Sequence, residues 1–259
     1  MAIVLALMSE KGGCGKTTLS MNLAASLAEH SRVLLVDCDQ QASATEIMLD
    51  GAAVGPDDLS AVLLGEATAS QAIIEKTSFG SSILPASDRL AEVQVLLANE
   101  PGRDTRLRHA LEEVRDQYDW IILDCPPGRG LLAIVALAAA DRVILPMDGS
   151  RSGLIGVQKG IELAGQVRRF CPDPLRQGAP AIQGIVLNRV SKNKTHDECL
   201  ANLRQAYGDL LLGVIPAAVC VDTSGWKAAA LVKSDPASTP ARAITELARR
   251  ISNVGKLAA

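Results

Sequence analysis

Aromatic side chains are nearly missing from this chain: two Trp, two Tyr and two Phe stand among 259 residues. That excludes a base-stacking platform for single-stranded nucleic acid, which needs a row of exposed rings. Long apolar runs are missing too. The longest covers residues 131–140, far short of the roughly 20 residues needed to cross a bilayer. The N-terminus leads straight into a strand-like segment rather than a charged and apolar leader, so a cytoplasmic location is expected. No Pro-, Gly- or Ser-rich stretch is long enough to be a linker, and no repeat or low-complexity segment is visible. Residues 1–259 therefore read as one domain, and no helix-turn-helix precedes the first strand to suggest operator-specific repression. The six cysteines, Cys14, Cys38, Cys125, Cys171, Cys199 and Cys220, include no C-x-x-C pair. This disfavours a disulfide framework, a zinc site and an iron–sulfur cluster, and most of the six read as small core fillers. Cys14, Cys38 and Cys125 lie in or beside the motifs described next, where an exposed thiolate of low pKa would permit redox control.

What is present is a phosphate loop. Residues 10–18, Glu-Lys-Gly-Gly-Cys-Gly-Lys-Thr-Thr, fit the P-loop pattern loosely, because its usual first glycine is missing and an additional lysine, Lys11, stands near the start. Backbone N–H groups of Gly12, Gly13, Cys14 and Gly15 can curl around phosphate oxygens. Lys16 would neutralise the β- and γ-phosphates, and the Thr17 hydroxyl is placed for magnesium, with Thr18 closing the run. Residues 3–7 are an apolar run of buried-strand type, and residues 18–28 repeat apolar side chains at helical spacing. A helix starting near Lys16 would aim its free N–H groups at the phosphates.

The rest of the chain alternates. Strands are expected at 32–37, 83–85, 120–124, 143–146, 182–187 and 211–215, and helices at 59–64, 69–74, 87–98 (capped by Ser87 or Asp88), 105–117, 153–169, 195–207 and 239–251. This order predicts an α/β fold whose mostly parallel, twisted sheet is covered by helices on both faces. Two strands end in acid: 32–37 runs into Asp37-Cys-Asp39-Gln-Gln, and 120–124 ends at Asp124 before Cys-Pro-Pro-Gly. Open α/β sheets bind ligands at such carboxyl ends. Phosphoryl transfer to water needs a metal, a positioned water and positive charge near the γ-phosphate. Thr17, Asp39 and Asp124 form the metal-associated set, Asp39 would orient the attacking water, and Lys16 with Lys11 would stabilise the developing charge.

The net charge of −3 hides an asymmetry: residues 1–150 hold 11 basic and 21 acidic side chains, residues 151–259 hold 15 and 8. The basic half suits nucleic acid or a solvated helix face equally. With so few rings, any DNA contact would be to phosphates, sequence-independent and salt-sensitive.

Lys-Gly-Gly-x-Gly-Lys-Thr-Thr at 11–18, Asp-x-Asp-x-Gln at 37–41 and Ile-Ile-Leu-Asp-Cys-Pro-Pro at 121–127 together resemble the deviant-Walker ParA/MinD ATPases, a P-loop NTPase family. Similarity to short, chromosomal-type ParA proteins continues through residues 63–66, 84–87, 106–111, 138–141 and 213–216. The resemblance implies ATP and Mg²⁺ as cofactors and a nucleotide sandwich dimer, in which Lys11 reaches the phosphates bound by the partner subunit. It further implies nonspecific binding of the ATP homodimer to double-stranded DNA over the nucleoid, and a ParB-like or other partner that stimulates hydrolysis. Segments 37–46 and 124–130 would be the switches that release when the γ-phosphate is lost, and Asn188 and Pro216 hold the places where the family contacts adenine.

The chain departs from that pattern in three places. Asp39-Gln40-Gln41 lacks the proline usual between Asp and Gln, so the first switch is less stiff. Residues 215–220, Ile-Pro-Ala-Ala-Val-Cys, lack the family's arginines, leaving Arg189, Lys192, Lys194, Lys227, Lys233, Arg249 and Arg250 as replacement phosphate contacts. Residues 149–153 lack the family's tyrosines. A MinD-like membrane-cycling ATPase is the nearest alternative, but residues 246–259 lack bulky aromatics and a long basic amphipathic face, so no membrane partner is expected. A metabolic ligase with the same loop is a further alternative that would need a second small-molecule pocket.

Overall fold

The computed structural model describes residues 1–173, 178–191, 193–221 and 227–257, with side chains to residue 253. Five-residue apolar segments build its centre. β1 (Ile3–Leu7), β2 (Val33–Asp37) and β4 (Trp120–Asp124) are buried along almost their whole length, as strands covered on both faces must be. With β3 (Ser82–Leu84), β5 (Arg142–Met147), β6 (Ala181–Val190) and β7 (Leu211–Pro216) they form one seven-stranded sheet in the order β3-β2-β4-β1-β5-β6-β7. Every pairing between these strands is parallel. All the strand carboxyl ends therefore lie on one rim, and the loop after β1 leaves from the middle of it.

Alternation along the strands divides the core in two. Val4, Ala6, Leu34 and Val36 face one layer, with α3 (Leu59–Leu64), α5 (Leu90–Leu96), α7 (Leu131–Ala139) and α8 (Arg151–Phe170). Leu5, Leu7, Val33 and Leu35 face the other, with α1 (Lys16–Leu27) and the last helix, Thr239–Leu257. That last helix turns Ala241, Ile244, Leu247, Ala248 and Ile251 inward, a helical stripe buried to 4% exposure or less. Among the described residues no helix is long and apolar enough to cross a membrane.

Local chemistry moves several expected boundaries. The helix expected over 69–74 stops at Ala72, because Ile74 and Ile83 exchange antiparallel backbone bonds of 2.8 and 2.9 Å. Neither Ser87 nor Asp88 caps α5. The Ser87 hydroxyl is drawn to Asp58, and the helix begins at Leu90. The helix expected over 105–117 is regular only from Arg106 to Glu112; beyond it Arg115 turns inward to the Ala2 carbonyl at 3.1 Å and Asp141 at 2.6 Å, tightening the backbone into a 3₁₀ turn. Among the helices not expected are α2 (Ser43–Met48), a single turn at Leu231–Ser234, and α7, whose continuous apolar run has no polar face to mark a helical period.

Candidate functional site

The loop after β1 turns on Gly15, which sits at φ 81° as the N-cap of α1. A side chain there would be strained, and its Cβ would lie 2.5 Å from Asn188 Nδ2. No side chain caps α1, so its first N–H groups face the loop interior, where an anion is favoured. Lys16 is 7% exposed and lies close enough to Asp124 to oppose part of the upward shift that burial gives that carboxyl.

Parallel register sets the acids side by side. Asp37 and Asp124 are cross-strand partners at the ends of β2 and β4, and both are buried, at 0% and 1% exposure. Burial first, then the Asp124 charge, raises Asp37 to about 7, despite bonds donated by the Thr45 N–H at 2.9 Å and hydroxyl at 2.8 Å. Burial also raises Asp124, while Lys16 and the Thr17 and Ser20 hydroxyls oppose the shift. Ser20 Oγ donates to Asp124 Oδ1 at 2.8 Å, but the buried Asp124 Oδ2 has no hydrogen-bond partner. An orphaned carboxylate oxygen beside a phosphate-type loop fits a hydrated cation. Asp39 lies two residues beyond the end of β2, partly exposed, with Oδ1 accepting from the Gln41 N–H at 3.0 Å.

Lys11 is half-exposed and points along its own subunit, Nζ lying 2.6 Å from Asp148 Oδ2. Burial raises Asp148, yet the bonds from Lys11 and Ser150 bring it below the ordinary carboxylate range.

Asn188 and Pro216 come together although 28 positions separate them in sequence. They line one cavity of about 320 Å³ with Gly15, Thr18, Leu19 and Ile244, a size at the lower end of small-molecule sites. Asn188 Nδ2 donates to the Cys14 carbonyl at 2.9 Å, tying β6 to the loop. Arg189 Nη1 donates to the Gly13 carbonyl at 2.9 Å. Arg189, itself exposed, thus also lines the nucleotide-type cavity.

The other basic residues are not gathered. Lys194 begins α9 (Lys194–Tyr207) on one side of the sheet, while Lys233, Arg249 and Arg250 lie on the other, and Lys192 lies outside the described residues. Arg249 and Arg250 both bond Glu246, at 2.8 and 3.0 Å. Cys14, Cys38 and Cys125 are buried, and burial pushes the Cys38 thiol well up and the Cys125 thiol to about 12. The exposure that redox control requires is therefore not found at these three positions.

Sequence reasoning missed four contributors. Glu10 occupies the place of the first P-loop glycine and accepts from Arg129 Nε at 3.0 Å and Lys159 Nζ at 3.4 Å. Ser20, Asp148 and Gln94 were hidden because their partners lie far away in sequence; only the unusual acid at position 10 left a local signal.

Comparison with known proteins follows this geometry. The AAA_31 family model, an AAA domain, matches residues 2–175. An uncharacterised protein of Pseudomonas putida is 40% identical over 175 residues, a match covering 66% of this chain and 64% of that protein's length. The sporulation initiation inhibitor protein Soj of Bacillus subtilis is 30% identical over 98% of this chain and 100% of its own. The chromosome partitioning protein ParA of Caulobacter vibrioides is 32% identical over 96% and 93%. Among solved structures, cobyrinic acid a,c-diamide synthase of Mycobacterium smegmatis, with bound ATP analog and magnesium, superposes at TM-score 0.82 and 27% identity, covering 99% of this chain and 96% of that one.

Proposed function

The chain belongs to the ParA/MinD family of ATPases, and from that premise we propose that it is an ATP-driven dimer switch acting on DNA or another cargo. The observation that carries this reading is the orphaned oxygen of Asp124 set beside Lys16 and Asp37 at the mouth of the phosphate loop. Thr17, Asp39 and Asp124 would hold magnesium, directly or through water. An ion held there would supply positive charge against the charge that develops on the γ-phosphoryl group. Lys16 and the N–H groups of residues 12–18 hold the phosphates, and the apolar slot beside Asn188 and Pro216 takes the adenine. Asp39, one oxygen fixed by the Gln41 N–H, orients the attacking water with the other.

In this reading Lys11 leaves Asp148 and crosses to the phosphates of a second copy, so dimerisation depends on the γ-phosphate. The dimer binds duplex DNA through phosphate contacts, and a ParB-like or other partner triggers hydrolysis and release. The protein would work in the cytoplasm at the nucleoid.

Size-exclusion chromatography with a slowly hydrolysed ATP analogue tests the switch. Lys11→Ala should remain monomeric while still binding nucleotide, and Asp39→Ala should accumulate as a dimer with ATP itself. A Lys11→Ala protein that dimerises like the unchanged chain would remove the reading. The likeness to an ATP-bound amide synthase favours one rival, a ligase. Turnover stimulated by a carboxylate metabolite and ammonia, and indifferent to DNA, would select it.

A further inference from the structure

The turn that carries Asp39 is closed by the Ala42 N–H donating to the Asp39 carbonyl at 2.9 Å. Gln40 is therefore the second residue of a four-residue turn, where proline is favoured because its fixed φ presets the corner. Glutamine supplies no such restraint from within. A restraint comes from outside: Gln94 Nε2 donates to Gln40 Oε1 at 3.1 Å. Gln94 stands on α5, which is anchored in the core by Leu90 and Val93, both at 0% exposure, so its Cα is a fixed post. Its other amide atom, Oε1, lies 3.5 Å from where a Cβ on Gly130 would stand. Gly130 is the N-cap of α7, at the end of the loop that Asp124 begins. One side chain thus bonds the turn that carries Asp39 and lies near the end of the loop after Asp124, from a helix that belongs to neither.

We propose that Gln94 is a positioning residue: it holds the Gln40 corner in place of a proline and so fixes the direction of Asp39. The consequence for hydrolysis rests on Asp39 orienting the attacking water, as proposed above. A hydrogen bond that persists through the reaction leaves nucleotide affinity alone and changes the rate at which the water is correctly placed. Gln94 is only partly buried on the outer side of α5, so its loss leaves the core intact.

Five full-length proteins decide the matter: the unchanged chain, Gln94→Ala, Gln40→Pro, the double variant of these two, and Gln94→Leu, which keeps the bulk. Gln94→Ala and Gln94→Leu should each lower kcat about fivefold, the worth of about one hydrogen bond, with KM and the Kd for a slowly hydrolysed ATP analogue moving less than about twofold. In the Gln40→Pro background the same change should cost less than about twofold, because the ring now fixes the corner. Native-state amide exchange gives a readout that needs no hydrolysis. The Gln41 and Ala42 amides should exchange faster in Gln94→Ala, and Gln40→Pro should restore their protection. If the unchanged chain fails to hydrolyse ATP, or Asp39→Ala hydrolyses it equally fast, the hydrolytic assignment falls and exchange alone judges Gln94. Unchanged exchange at those two amides overturns the proposal, as does an equal loss of kcat in both backgrounds or a loss of nucleotide affinity at constant kcat.

Discussion

At the residue scale the site is dominated by two carboxylates that parallel register forces together. Asp37 and Asp124 cannot both ionise cheaply when each is buried and the other is its strand neighbour. Asp37 consequently holds its proton up to about pH 7 in the fold, whereas an unfolded chain releases it near about 4. Between those values the folded state binds more protons than the unfolded one, so stability falls as pH rises. In magnesium-free buffer the urea midpoint should therefore be highest near the lower value, decline toward the upper one, and then level. Asp37→Asn should flatten that decline; an equal slope in both proteins would show that the titration lies elsewhere. The phosphate-loop residues and both acids were legible in the sequence because each stands in a contiguous motif. Glu10 with Arg129, Lys11 with Asp148, and Gln40 with Gln94 were not, because each pair exists only after the strands have been ordered.

At the element scale the strands carried most of the legible signal. Buried parallel strands are short, β-branched and apolar, and the expected strands align with the observed ones to within a few residues at each end. Helix starts were less legible, since Ser87 looks like a cap until Asp58 claims its hydroxyl. The spacing between β6 and β7 is also invisible in a linear reading. Gly184 lies in β6 at the register shift with β5, one residue before the pairing with β7 begins, and a Cβ there would sit 2.4 Å from Leu212 Cγ and 2.5 Å from the Leu210 carbonyl. The backbone oxygen can yield only by separating the strands. Gly184→Ala should then destabilise the protein by about 1–3 kcal/mol, the cost of overpacking, read as a lowered urea midpoint. Because β6 carries Asn188 to the loop, nucleotide affinity should weaken with it. A midpoint that does not move would mean that β7 shifts at this edge at little cost.

At the scale of the whole molecule, charge and fold point in different directions. The second half of the chain is basic, yet its candidate contacts are divided between the two sides of the sheet, and two of them share the single carboxylate of Glu246. Among the described residues these candidate contacts form no continuous track on one copy, and in the proposed reading gathering one would fall to a pair of copies. Duplex binding measured by fluorescence anisotropy should accordingly require ATP and weaken by orders of magnitude between about 50 and about 200 mM salt. Binding that persists without nucleotide, or that ignores salt, would point to a different surface.

The inward stripe of the last helix has one further consequence. Ile244 is both a core residue of that stripe and part of the wall around the adenine-sized cavity. Were a lipid surface to recruit the same apolar face, the helix would have to peel away and open the cavity from behind. Lipid anchoring through residues 241–251 and retention of the nucleotide would then exclude each other.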